Sequence, residues 1–229
     1  MSNAALKELE PVNRQERLGD LAYQTMKEKL IRGAFEPGRK LTVRAVADAL
    51  GVSSTPARDA LNRLATDGAL VYAGPKTVIV PFLTARVLQE VTAMRLALEG
   101  LAAERALPQC DEYVLNELHG IQDRINHALS DNDYHASLHH NKEFHFAIYR
   151  RSEMPHLIAT IESLWLRIGP SFHHLYPEFA RTRYGVHNHM SAIEAIRDND
   201  GPALRAAIEN DIRDGFRRLK GALREPEQK

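Results

Sequence analysis

Cysteine, net charge and long apolar runs are what this 229-residue chain has least of. A single cysteine, Cys110, excludes an internal disulfide. No apolar run of roughly 18 residues and no signal-peptide pattern occurs, so no membrane association is expected and the setting reads as soluble, reducing and cytoplasmic. Lys+Arg 30 against Asp+Glu 30 leaves no formal charge, so the total carries no polybasic or polyacidic signature. Histidine is missing from the first half, with all 11 beyond residue 118. There is no HExxH signature and no obvious general base, so an enzyme is not expected.

What is present is an ordinary globular composition, 44% hydrophobic and 26% charged, enough for one large domain or two of common size. The charge is divided unevenly. Through residue 83 there are 12 basic and 9 acidic side chains, against 18 and 21 in the remainder, so a basic front precedes an acidic rest. Met1-Ser2-Asn3-Ala4 reads as a tag remnant within a disordered segment 1–14, and residues 224–229 as a frayed polar tail.

Apolar residues from Leu18 to Ile31 recur at helical spacing until Gly33 and Pro37-Gly38 stop them. A second helix is expected over Thr42–Leu50, closed by Gly51 in a left-handed cap. A third is expected to start at Thr55-Pro56, hydroxyl at the N-cap and proline at the first helical position, and to run to Gly68. Ala69–Ala73 and Thr77–Pro81 are β-branched runs around Gly74-Pro75-Lys76, a hairpin pattern. The order predicts a winged helix-turn-helix over residues 15–82. Beyond it only helical stripes appear, over 84–107, 111–130, 133–151, 154–168, 171–182, 187–199 and 202–223. The expected fold is therefore mainly α, an N-terminal winged helix-turn-helix and a C-terminal all-helical bundle over 84–223.

A recognition helix presents its start to DNA. Ser53, Ser54 and Thr55 supply small hydroxyls and free amides for a phosphate, and Arg58 can reach guanine O6 and N7. Arg44 and Lys76 could add backbone or groove contacts. The same residues would serve equally as caps and solvated surface; the whole arrangement, in a net positive segment, favours double-stranded DNA. Leu41 to Leu70 resembles the N-terminal domain of GntR-family bacterial transcriptional regulators, whose Ser-Arg-Thr-Pro-Val-Arg-Glu-Ala-Leu pattern residues 53–61 follow with changes. The resemblance implies that Arg44, Ser53, Thr55 and Arg58 face DNA. It also implies a weaker contribution from Ser54, which replaces a DNA-reading arginine, and a changed wing, where Thr77 stands near the usual glycine.

In the helical half, Leu138, Asn141, His145 and Ile148 share one helix face; His189 shares its face with Ile193 and Ile196; Asp211 sits with Leu204, Ile208 and Gly215. A carboxylate on such a stripe must be paired, protonated or bound to a cation, and one divalent ion would satisfy all four residues, with zinc, nickel or manganese suiting imidazole and oxygen donors. A lone inward histidine is more often bonded to backbone, and the other nine histidines read as solvated or structural. Arg95 lies on the stripe of Val91, Leu98 and Ala102. It pairs with Glu99 one turn on or holds a planar anion. Trp165, Phe172 and Tyr176 could wall a cavity or be plain core.

Residues 84–220 resemble the FCD ligand-binding domain of the FadR subfamily, through Arg95–Glu99, Asn141–Ile148, His189–Ile196 and Asp200–Ile212. Many such domains hold a metal with one aspartate and three histidines. The matching positions here are Asn141, His145, His189 and Asp211, so the first aspartate has become asparagine and the last histidine aspartate. The resemblance implies a homodimer on a palindromic operator, controlled by a small organic acid held by the metal and Arg95. A metal-responsive regulator with no organic effector and a metal-dependent enzyme are the alternatives.

Overall fold

The computed structural model describes residues 14–175 and 184–223. These form two compact units: residues 14–28 with 38–81, and residues 29–37 with the described residues from 82 onward. Among the described residues no helix is long and apolar enough to cross a membrane.

The first unit contains most of α1 (Arg14–Ile31), then β1 (Lys40–Thr42), α2 (Val43–Leu50), α3 (Ser54–Thr66), β2 (Val71–Gly74) and β3 (Thr77–Ile79). Its core is Ala22, Met26, Val46, Ala57, Leu61, Leu64 and Val78, the inward stripes of its helices against β3. Thr42 caps α2 by accepting the Ala45 amide at 3.2 Å, and Gly51 closes it at φ 64°, a left-handed turn that glycine takes without a Cβ clash. On the far side Tyr23 donates to Asp67 at 2.7 Å and Arg63 stacks over the Tyr23 ring while pairing with Asp20, tying α1 to α3.

Three local expectations need correction. Helix α3 begins at Ser54 with Ser53 as N-cap, so Thr55 is not the cap and Pro56 is the third helical residue. That still costs nothing, because amides in the first turn have no helical acceptor. The sheet has three strands in the order β1-β3-β2, and β1, too short to show a pattern of its own, forms by pairing Lys40–Thr42 with Thr77–Ile79. The hairpin strands are shorter than their β-branched runs; Pro75 and Lys76 form the turn, and the register slips between Tyr72 and Gly74.

The second unit is all-helical: α4 (Ala85–Ala106), α5 (Glu112–Ser130), α6 (Tyr134–Tyr149), α7 (Pro155–Ile168), α8 (Tyr184–Arg197) and α9 (Gly201–Ala222). Short 3-10 turns follow α4, α6 and α7. Thr84, Asp111, Asp133 and Asp200 each cap the next helix by accepting an amide three residues on. The stripe expected over 171–182 is a 3-10 turn through Leu175, and the rest lies outside the described residues. Helix α9 packs along α4 and α8, α5 along α6, and α7 against α4. The end of α1 belongs here because Gly169 sits against it. A Cβ on Gly169 would fall 2.6 Å from the Ile31 Cα and 2.7 Å from the Leu30 carbonyl oxygen, so only glycine fits.

Candidate functional site

In the winged unit the start of α3 is open. Ser53, Ser54, Thr55 and Arg58 are exposed, as are Arg44 on α2 and Lys76 at the hairpin tip. Ser53 makes no side-chain cap bond, so the first-turn amides and three hydroxyls face solvent together. This is a charge-neutral cradle with positive helix-end character, the local chemistry that takes a phosphate. Arg58, the fifth residue of α3, follows directly behind it. Arg44 has a single ion-pair approach, 3.9 Å to Asp48, too long and too exposed to hold it. Lys76 is anchored by its backbone, whose carbonyl accepts the Val43 amide at 3.2 Å, leaving the side chain free. Sequence reasoning passed over Tyr72, an exposed wing residue whose hydroxyl donates to Asn62 on α3 at 3.1 Å.

In the helical unit the polar groups are buried. His145 on α6, His189 on α8 and Asp211 on α9 converge, with one ligand atom from each lying within 4.8 Å of the others. His145 Nε2 stands 3.2 Å from Asp211 Oδ2, off the direction of a hydrogen bond, and His189 Nε2 also lacks a hydrogen-bond partner although both rings are buried. The rings meet edge to face, centroids 5.1 Å apart, and Phe144 stacks on His189. Burial pushes His189 down to about 3, so it stays neutral. Burial opposes the charge of Asp211, but the adjoining His145, then His189 and Arg95, outweigh it and hold the carboxyl at about 2. Asn141 lines the same cavity as Asp211, together with Arg95, Trp165, Phe172 and Arg218. Tyr176, the third expected wall residue, lies outside the described residues.

Arg95 is paired with Glu99: Nη2 donates to Oε2 at 3.1 Å while Nε donates to Oε1. Burial alone would weaken the Arg95 charge, but the Glu99 carboxylate outweighs it and raises its pKa. Fully buried Glu99 also accepts from the Tyr149 hydroxyl at 2.7 Å and the Trp165 indole at 3.1 Å, and the guanidinium lies 4.6 Å from the Trp165 ring. Of the two sequence alternatives for Arg95 the intrahelical pair with Glu99 is present, and Arg95 also borders the cavity. Sequence reasoning missed the hub role of Glu99, the inward Gln122 and the partly buried trio His139, His140 and Glu143, in which the Glu143 carboxylate lies 3.1 and 2.7 Å from the two rings.

A winged helix with an open recognition-helix start, carried on a chain with an all-helical domain whose cavity is bordered by charged side chains, is the form of a DNA-binding transcriptional regulator. The chain belongs to the GntR family: residues 18–79 match the family model "Bacterial regulatory proteins, gntR family", and residues 90–214 match the FCD domain. It is 34% identical over 185 residues to the HTH-type transcriptional regulator McbR of Escherichia coli, covering 80% of this chain and 84% of that one. It is 28% identical to the Nta operon transcriptional regulator of Aminobacter aminovorans, covering 83% and 91%. Among solved structures, E. coli McbR/YncC superposes with a TM-score of 0.83 at 30% identity, over 89% of this chain and 97% of that one. A transcriptional regulator from Rhodococcus sp. RHA1 shares the fold, with a TM-score of 0.75 at 20% identity over 91% and 100%.

Proposed function

We propose that this regulator is of the FadR subfamily, binds a palindromic operator as a homodimer, and responds to a small carboxylated metabolite held in the helical domain by a divalent metal and Arg95. Residues 15–82 would read DNA through Arg44, Ser53, Ser54, Thr55, Arg58 and Lys76; residues 84–223 would sense the effector and dimerise. The observation that carries the sensing half is the pair of buried Nε2 atoms without hydrogen-bond partners beside the carboxylate of Asp211, a residue that lines a cavity Arg95 also borders. Two nitrogen donors and one anionic oxygen suit zinc, nickel or manganese, and Asn141 offers a fourth, weaker oxygen.

When bound, the ion would supply a Lewis-acid point for a carboxylate oxygen. The chain's own part is to orient and exclude. Glu99 occupies two of the five guanidinium N–H groups of Arg95, leaving others for a ligand anion. Trp165 and Phe172 offer apolar walls to the rest of a small acid. The effector would act by binding one arrangement of the DNA-reading domains better than another, since only differential affinity moves an equilibrium.

The test joins elemental analysis to operator binding. Purified protein should carry about one divalent ion per chain and lose it in His189→Ala, and organic acids should shift operator affinity at fixed metal but not in Arg95→Ala. Full metal occupancy in His189→Ala would remove the ligand set. A response to metal with none to any acid would make the ion itself the signal.

A further inference from the structure

The two imidazoles that face Asp211 each have Nδ1 turned to an oxygen that the surroundings make an acceptor. The Gln122 side-chain amide donates from Nε2 to Asn126 Oδ1 at 3.2 Å, which turns Oε1 to the His189 Nδ1 at 2.7 Å. A carbonyl oxygen cannot donate, so the His189 proton sits on Nδ1. The Tyr149 hydroxyl spends its one proton on Glu99 Oε2 at 2.7 Å, so toward His145 Nδ1, 3.1 Å away, its oxygen accepts. His145 therefore also carries a proton on Nδ1, and its Nε2 faces Asp211 Oδ2 at 3.2 Å. The His189 Nε2 is left as a buried lone pair on the same side.

We infer that Gln122 and Tyr149 are the positioning residues of this site, holding His189 and His145 by Nδ1 so that both Nε2 atoms are turned to Asp211 and can be given to a cation. The inference rests on the metal reading above for its purpose, but not for its geometry. Gln122 lies on the inward face of α5, is 2% exposed, and spends its oxygen on His189. Tyr149 is fully buried at the end of α6, one turn after His145 on the same face, and is held by Glu99 from α4. Each imidazole is thus oriented by a residue outside the ligand set, one through a carboxamide and the other through a phenol backed by a carboxylate. Such outer partners commonly set ring orientation and ligand basicity in metal sites.

The experiment uses the full chain, stripped of metal, with nitrogen-15 histidine. Long-range nitrogen–proton correlation should show Nδ1 protonated in both His145 and His189, with His189 protonated there alone. In Gln122→Leu the His189 signals should move to a mixture of tautomers, and Gln122→Glu, which keeps an acceptor, should restore the Nδ1–H form. Zinc affinity, by competition with a chromophoric chelator, should fall by roughly 10–100-fold in Gln122→Leu and in Tyr149→Phe, and recover in Gln122→Glu. Helical circular dichroism shows whether Tyr149→Phe still folds; if it does not, the Gln122 pair decides. An Nε2–H tautomer of His189 or a His145 ring bare at Nδ1 in the wild-type chain would overturn the inference, as would unchanged zinc affinity in Gln122→Leu once its tautomer has shifted. Wild-type protein with the expected tautomers but no zinc binding would leave the orientation standing and sink the metal reading instead.

Discussion

In the winged unit Arg44, Ser53, Ser54, Thr55, Arg58 and Lys76 all stand in solvent, while in the helical unit Arg95, Glu99, His145 and His189 are buried and bonded to or packed against one another. The contrast follows from what each surface must meet. A phosphate backbone is a large, wet partner that exposed cations reach without desolvation before contact. A small ligand must be enclosed, and enclosure forces the protein to bury the groups that will touch it. Buried charges tolerate this only in pairs, which is why Arg95 has Glu99 and why Glu99 has two further donors. Function and stability are therefore separable in the first unit and fused in the second.

The sharpest way to break that comparison is Glu99→Ala. It strips an anion from a buried guanidinium and leaves the Tyr149 hydroxyl and Trp165 indole without their acceptor. Removing one partner of a buried pair costs about 3–5 kcal/mol, and the two orphaned donors add to it. Denaturant unfolding followed through Trp165, the one tryptophan, reads it directly. A loss below about 1 kcal/mol would place the pair with surface ion pairs and erase the distinction between the units.

A second effect separates the units by pH. His189 ionises at about 3 when folded against 6.5 when free, so between those values the unfolded chain binds a proton that the folded one refuses. Stability from this group is full above 6.5 and is lost as pH falls toward 3. Asp211, at about 2 against 3.8, has the same sign over its own lower window, because its folded carboxylate stays ionised after the unfolded one has protonated. Going from pH 7 to pH 5 should remove about 2 kcal/mol through His189, and His189→Gln should flatten that slope. Equal slopes in the two proteins would mean that His189 is solvated and the site is open.

The same division explains what the sequence made legible. The helices and their caps, Thr42 and Gly51 among them, are local devices written in a few adjacent residues, and His145, His189 and Asp211 stood out because each interrupts an apolar stripe. Helix α3 was misjudged by two residues because Ser53, Ser54 and Thr55 are chemically interchangeable as caps. Strand β1 was invisible because three residues carry no period and its partner lies beyond two helices. Glu99 reads as half of an ordinary intrahelical pair with Arg95; its hub role depends on Tyr149 and Trp165, which lie 50 and 66 residues farther along the chain. Gln122 sits on the inward stripe of Leu118, Ile121, Ile125 and Leu129, so the signal was present, but a neutral amide draws less notice there than a charge.

The smallest expected effect tests whether the exposed set of the first unit is itself divided. Arg58 sits behind the open start of α3, where a side chain aimed into a groove would meet base edges, whereas Lys76 is at the hairpin tip, where it would meet backbone or groove. Arg58→Ala should weaken operator binding by about 1–3 kcal/mol and flatten the preference for one base pair. Lys76→Ala should weaken specific and random DNA alike and lower the slope of log affinity against log salt by about 1, since one phosphate contact releases roughly one counterion. Neither should change the unfolding midpoint, because neither side chain is buried or bonded within the fold. If Lys76→Ala altered base preference while leaving the salt slope unchanged, the wing would be a reader of bases, and the division between Arg58 and Lys76 would fail.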